Sequence, residues 1–207
     1  MTPDGPLTRE QILEAAEEAL RRFGPGKATV VDVARALGVS HGSVYRHFPS
    51  KAALRGAVTA AWLARISGSL EIVADTETPA LDRLHRWLRE LIETKRGKAA
   101  EDPELFETYV MLTVEQADAT AAHVDELIAQ LTRIVTDGVE RNELVSDDPA
   151  ITARAILHAT GRFHNPANRG EWDDPDIDHQ FEAVWDLVQR GLTKGIKKAA
   201  KARAAAG

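Results

Sequence analysis

Apolar residues in this chain recur at i, i+3 and i+4 over long stretches, and no stretch alternates apolar with polar in the way a half-buried strand requires. Thr8 and Gln11 form a capping box ahead of a helix with Ile12, Leu13, Ala16, Leu20 and Phe23 on one face. Gly24-Pro25-Gly26 breaks it. Thr29 then caps a short helix with Val30, Val33, Ala34 and Leu37 inward, and Gly38 supplies the left-handed C-cap. Ser40 caps the next helix, and Pro49 stops it after Phe48. Lys51 opens a fourth helix carrying Leu54, Ala57, Val58, Ala61, Trp62 and Ile66. After a turn at Asp75–Pro79, a helix runs to about Gly97 with Leu81, Leu84, Leu88, Leu91 and Ile92 inward. Asp102-Pro103 and Asp148-Pro149 each read as an N-cap followed by an N1 proline. They open helices through Leu112 and to about His164, and between them a helix from about Ala119 to Val139 stops at Asn142. Pro175 starts the last helix, striped by Phe181, Val184, Trp185, Val188 and Leu192. The pattern predicts an all-α fold of about nine helices, without internal repeats.

The stretch Thr29 to Lys51, TVVDVARALGVSHGSVYRHFPSK, organises the rest. Two helices this short, joined by a tight break containing Gly38, make a helix-turn-helix. If Val44 and Phe48 face inward, the opposite face of the second helix carries Gly42 and Arg46, flanked by Ser43 and Tyr45, with His47 at the boundary. Such a face suits a DNA major groove, where arginine bonds guanine edges bidentately. By spacing alone it also suits a helical hairpin that meets only water.

The same residues resemble the DNA-binding domain of TetR/AcrR-type transcriptional repressors, whose signature runs V-S-x-G-x-x-Y-x-H-F-x-S-K. Val39, Ser40, Gly42, Tyr45, His47, Phe48, Ser50 and Lys51 stand at those places, preceded by Thr29, Asp32, Val33, Ala34, Leu37 and Gly38. The resemblance is specific over roughly residues 8 to 66. It implies a helix-turn-helix domain over 1–52, a linking helix over 51–69, and an effector-binding and dimerisation domain over 53–196; the basic, Ala-rich residues 197–207 read by composition as a disordered tail. Gly42, Ser43 and Arg46 are the candidates for base edges. Thr29, Ser40, Tyr45, His47 and Lys51 are the candidates for phosphates, which set register rather than sequence. Arg9 is a further residue placed to meet phosphate or solvent.

The resemblance also implies a small-molecule effector that weakens DNA binding from a pocket in the larger domain. Candidate lining residues are Trp87, Phe106, Tyr109, Met111, His123, His158, Arg162 and Trp185; each aromatic is equally at home in a core. His158 and Arg162 suit an anionic effector if buried, whereas the acidic body suits a cationic one. In the family the last two helices form a four-helix interface about a two-fold axis, which fits a homodimer reading palindromic half-sites. Arg162-Phe163-His164-Asn165-Pro166 resembles an FHxP element of one subfamily; on its residues alone it is a turn that ends one helix and seats the dimer core.

Composition changes this picture in two places. The net charge of −6 is unevenly spread: residues 1–65 carry +3, residues 66–189 carry −15 and residues 190–207 carry +6. A basic head on an acidic body is what a DNA reader needs, because phosphate attraction is local. There are no cysteines, so disulfides and thiolate metal sites are excluded. No uninterrupted apolar run approaches the ~20 residues of a bilayer span, and MTPDGPLTRE lacks signal-peptide regions, which predicts a cytoplasmic protein with no membrane association. His123, His158 and His164 have no zinc-site spacing. With no phosphate loop and no nucleophile elbow, the expectation is a non-enzymatic regulator without cofactor or metal. The alternative is a constitutive or architectural DNA-binding protein without an effector, and an activator role is open beside repression.

Overall fold

Helix-capping chemistry sets most element boundaries in the computed structural model, which describes the backbone of residues 6–205 and the side chains of residues 6–193. Ten α-helices follow in order: α1 Arg9–Lys27, α2 Val30–Leu37, α3 His41–His47, α4 Lys51–Ala74, α5 Ala80–Glu101, α6 Pro103–Glu115, α7 Ala117–Glu140, α8 Pro149–Ala159, α9 Gly161–His164 and α10 Ile177–Ala205. A 3-10 turn, Pro166–Glu171, lies between α9 and α10, and no strand occurs among the described residues.

The fold is all-α, and it departs from the sequence pattern at identifiable places. Gly24 takes φ 71° and kinks α1, but the backbone regains a turn beyond it because the Ala28 N–H bonds the Gly24 carbonyl at 3.0 Å. One helix expected over 149–164 is two. The Thr160 hydroxyl donates back to the Ile156 carbonyl at 2.9 Å, a bond that competes with the helical ladder, and Gly161 follows. Asn142, at φ 58°, ends α7 in the left-handed region. The backbone of α10 continues helical to Ala205, through the segment expected to fray. Side chains beyond Thr193 lie outside the described residues, as do residues 1–5.

Contacts divide the chain into two compact units, Met1–Arg65 with Lys98–His123, and Ile66–Gly97 with Val124–Gly207. The division falls within α4, α5 and α7. In the first unit Ile12 and Leu20 of α1, Val33 of α2, Val44 and Phe48 around α3, and Leu54, Val58 and Trp62 of α4 are buried. Full burial of a side chain of this size stabilises by about 1.5–3 kcal/mol. In the second unit Leu84, Trp87, Leu88 and Leu91 of α5 are buried, as are Leu131, Ile134 and Val135 of α7 and Phe181 of α10. Trp87 Nε1 donates to Gln130 at 2.9 Å, and Gln130 Nε2 donates to the Ser67 carbonyl at 3.0 Å, so the polar atoms buried there are satisfied. Gly138 lets α7 lie against Ala80 and Leu144, since a Cβ there would stand 2.6 Å from each.

α4 is long and apolar enough to cross a membrane, but half of its most apolar stretch is buried within the chain itself. It carries Arg55 and Arg65, each ion-paired to a carboxylate. That is the composition of a core helix.

Candidate nucleic-acid interface

The helix-turn-helix is held by side-chain caps at each joint. Thr29 and Asp32 close a reciprocal capping box at the start of α2: the Asp32 N–H donates to Thr29 Oγ1 at 3.2 Å, and the Thr29 N–H to Asp32 Oδ2 at 3.0 Å. The Thr29 hydroxyl also donates to Asp32 Oδ2, at 2.5 Å. That hydrogen bond holds the Asp32 carboxyl below the usual carboxylate range. Thr29 thus serves as the N-cap of α2. Gly38 takes φ 67° at the end of α2, a conformation that costs a Cβ-bearing residue roughly 1–2 kcal/mol. Its neighbour Val39 donates to the Ala34 carbonyl at 3.0 Å and turns the chain toward α3.

Ser40 caps α3 by accepting the Ser43 N–H at 3.2 Å. Val44 and Phe48 are buried; Gly42, Tyr45 and Arg46 are exposed, and Ser43 and His47 are half-exposed. The solvent face of α3 therefore carries the residues that the sequence singled out, and α3 contains no carboxylate. Arg46 Nη2 rests on Ser43 Oγ at 3.2 Å, which parks the guanidinium within one turn of Gly42. His41, with no expected role, packs edge-on against the Tyr45 ring at 6.3 Å. Ser50 caps α4 through the Ala53 N–H at 3.0 Å, and exposed Lys51 stands at its first position. A lysine beside the positive end of a helix dipole gains most when an anion joins it.

Arg9 plays a part that the sequence does not reveal. Its Nη1 donates to the His47 carbonyl at 3.0 Å, and its guanidinium lies 4.3 Å over the Phe48 ring. It thus closes the C-terminal end of α3, where the carbonyls carry partial negative charge.

The eight candidate ligand-lining residues do not converge. Phe106 and Tyr109 line an open cleft of about 460 Å³ within the first unit, together with Glu17, Arg21, Trp62, Arg65, Lys98, Glu101, Asp102 and Leu105. Trp87 and Trp185 are buried in the second unit, and His123 is buried. Met111 is 53% exposed, and His158 and Arg162 are exposed, which removes the ground for pairing those two as buried anion receptors. Arg162 instead donates to Glu171 at 2.6 Å and Gln180 at 2.5 Å. Around the FHNP residues, Phe163 packs edge-on against Phe181, buried His164 lies 3.3 Å from Thr160 Oγ1, and Asn165 caps the 3-10 turn through the Ala167 N–H at 3.0 Å.

In the cleft, Trp62 stacks on Tyr109 with centroids 4.2 Å apart and planes 5° from parallel. Arg65 Nη2 reaches both carboxylate oxygens of Glu17 at 2.9 Å, and Arg21 Nε meets Asp102 at 3.2 Å. The Tyr109 hydroxyl is buried beside Glu17 and Arg65 without a well-formed hydrogen bond to either. Burial, with the Glu17 carboxylate nearby, pushes its phenol above the ordinary range. Among the described residues no ion pair involves Lys98. Sequence periodicity finds none of Glu17, Arg65 or Lys98, because their placement depends on pairings across distant helices.

A short capped helix with a carboxylate-free polar face, set on a three-helix support, is the architecture of a helix-turn-helix DNA-binding protein. The family described as bacterial regulatory proteins, tetR family, matches residues 12–58, and the tetracyclin repressor-like C-terminal domain matches residues 80–185. The chain belongs to the TetR family of DNA-binding transcriptional regulators, which are not enzymes. Among curated relatives it is 47% identical over 47 residues to the HTH-type transcriptional regulator TtgR of Pseudomonas putida, a match covering 23% of this chain and only 22% of that protein. It is 31% identical over 194 residues to the HTH-type transcriptional repressor Rv1474c of Mycobacterium tuberculosis, covering 90% of this chain and 93% of that one. Among solved structures, SmeT, the repressor of the Stenotrophomonas maltophilia multidrug efflux pump SmeDEF, aligns with a TM-score of 0.63 at 20% identity over 90% of each chain.

Proposed function

We propose that this chain is a repressor that binds a palindromic operator as a homodimer and is released from it by a small-molecule effector. The observation that carries the reading is the solvent face of α3, where Gly42, Ser43, Tyr45 and Arg46 surround a surface free of carboxylates while Val44 and Phe48 anchor the helix from behind. Arg46, Ser43 and Gly42 are assigned to base edges. Ser40, Tyr45, His47 and Lys51 are assigned to phosphates, with Thr29 positioning α2. The relative named a transcriptional repressor supports repression over activation.

Dimerisation is supported by apolar residues left exposed on α8 and α10. Ile151 is 67% exposed and Leu187 70%, and Ala155 and Gly191 extend the same helix faces in the exposed class. Exposed apolar surface marks an association site where it is contiguous, and a partner copy seated on these two helix faces would bury it. A two-fold dimer presents two copies of α3 to half-sites about one helical turn, or a multiple of it, apart. Ligand response is supported by the cleft that Phe106 and Tyr109 line. Such a protein works where the chromosome is, in the cytoplasm.

Operator selection tests the reading: purified protein against a random duplex pool at physiological salt, with the retained DNA sequenced. A palindromic consensus, bound at two protomers per duplex, is the expected outcome. Retention without any consensus, with affinity that falls steeply with salt, would replace it with a constitutive coating role.

A further inference from the structure

We propose that the cleft walled by α1, α4, the C-terminal end of α5 and α6 binds a small-molecule carboxylate, and that this carboxylate competes with Glu17 for Arg65. The cleft lies within the same compact unit as α3. Its volume, about 460 Å³, is that of a small-molecule site, typically ~300–1,000 Å³.

Two groups in it are left wanting the same thing. Tyr109 is 1% exposed, and its hydroxyl sits beside the Glu17 carboxylate and the Arg65 guanidinium without a well-formed hydrogen bond to either, although buried polar groups are almost always hydrogen-bonded. An O–H beside a carboxylate-bound guanidinium is completed by an acceptor oxygen. Lys98 lines the same cleft without an ion pair among the described residues, and an ammonium offers only donors. An anionic oxygen answers both; of the three carboxylates that also line the cleft, Glu17 and Asp102 are already held by Arg65 and Arg21, and Glu101 is exposed. Leu105, Phe106 and the Trp62–Tyr109 stack form a floor on which an apolar body can rest.

The competition follows from the geometry of Arg65. One of its terminal nitrogens already holds Glu17 at 2.9 Å to each oxygen, and side-chain exposures of 49% and 25% leave that pair open to exchange. A ligand carboxylate on Arg65 releases Glu17, and with it one polar tie between α1 and α4, while Ile12, Ala16, Ala19 and Leu20 keep the apolar side of α1 buried. The other ties of α1 are Arg21 to Asp102, the Pro25 carbonyl to Arg55, and Arg9 to the His47 carbonyl at the end of α3. The helix that loses the Glu17 tie is thus the one that closes α3, and a ligand that favours the loosened state lowers DNA affinity by the same factor that DNA lowers its own. This coupling rests on the reading of the chain as an effector-released DNA-binding protein; binding of a carboxylate to the cleft does not.

The test uses the full chain and four probes, 4-phenylbutyrate and 2-naphthylacetate beside their neutral amides, titrated by calorimetry and by saturation-transfer NMR. The acids are expected to bind roughly tenfold or more tightly than the amides, the usual gain of a charge-assisted hydrogen bond. Tyr109→Phe, which keeps the ring on Trp62, weakens the acids roughly tenfold. Glu17→Gln removes the competitor for Arg65 and tightens them, an effect opposite in sign to that of a fold made less stable. Thermal melts of both variants confirm that the unit is folded. Acids that bind no better than amides, a failure of all four probes to bind, or a Glu17→Gln variant that binds acids no better than the parent would overturn the site. Operator affinity unchanged at saturating acid would overturn the coupling. A chain that selects no operator at all removes the repressor reading, while the titrations still decide the cleft.

Discussion

Lys95 is the group whose burial costs this fold most visibly. It sits on α5, 7% exposed, with no ion pair among the described residues, and burial lowers its amine from 10.5 to about 8. A depressed lysine destabilises the folded state wherever the amine is charged in both states. Below about pH 8 folded and unfolded chains are both protonated, and the penalty is fully present. Between about 8 and 10.5 the unfolded chain binds more protons than the folded one, so stability rises with pH. The difference of 2.5 units corresponds to about 3 kcal/mol, an upper bound for a site that can relax or admit water. Lys95→Met keeps the length of the side chain and removes the charge. It should raise the unfolding free energy at pH 7 by about 1–3 kcal/mol and abolish the rise between pH 8 and 9.5. Urea titrations at half-unit pH intervals measure both. The window closes near 9.5 because the raised phenol of Tyr109 acts in the opposite direction: the unfolded tyrosine ionises first, and stability falls above about pH 10. A variant whose pH profile superimposes on the parent's would refute the assignment of the slope to Lys95.

The remaining predictions concern the interface and the packing. Arg46→Ala should cost about 1–3 kcal/mol of operator affinity and relax specificity at one base pair, seen when selected and mutated operators are compared; uniform weakening across operators would move Arg46 to the phosphates. Lys51→Gln should do the reverse, weakening all sequences alike and lowering the salt slope by about one. Gly138→Ala should destabilise by about 1–3 kcal/mol despite better helix propensity, since the new Cβ meets Ala80 and Leu144 at 2.6 Å; a neutral melt would show that Leu144 swings aside.

Local chemistry made most of the fold legible. The caps at Thr8, Thr29, Ser40, Asp102 and Asp148 are each decided within about three residues of sequence, and each bonds the N–H it should. The break between α8 and α9 was hidden because it depends on which way the Thr160 hydroxyl turns. The solvent face of α3 followed from two inward residues one helical turn apart. The cleft did not, because choosing candidates by residue type cannot separate Tyr109, buried beside an ion pair, from Met111, two positions on and in solvent. His158 and Arg162 failed as a buried pair for the same reason: tertiary packing sets exposure, and a helical repeat does not report it.

What joins the α3 surface to the cleft is α1, a helix expected to support α3 and to offer Arg9 to phosphate or solvent. Arg9 near its N-terminus holds the last carbonyl of α3, Glu17 in its middle holds Arg65, and the carbonyl of Pro25 near its end accepts from Arg55. The Glu17–Arg65 tie is the weak one, since exposed ion pairs are worth about 0–1 kcal/mol. Together the three ties line the polar side of a helix that touches both places. Weak, separable contacts are what a switch requires, because a ligand can shift an equilibrium only by the difference in its affinity for the two states. The apolar face of α1, with Ile12 and Leu20 buried, is beyond the reach of one carboxylate; its polar side is not. The modest Glu17–Arg65 pair lies within its reach.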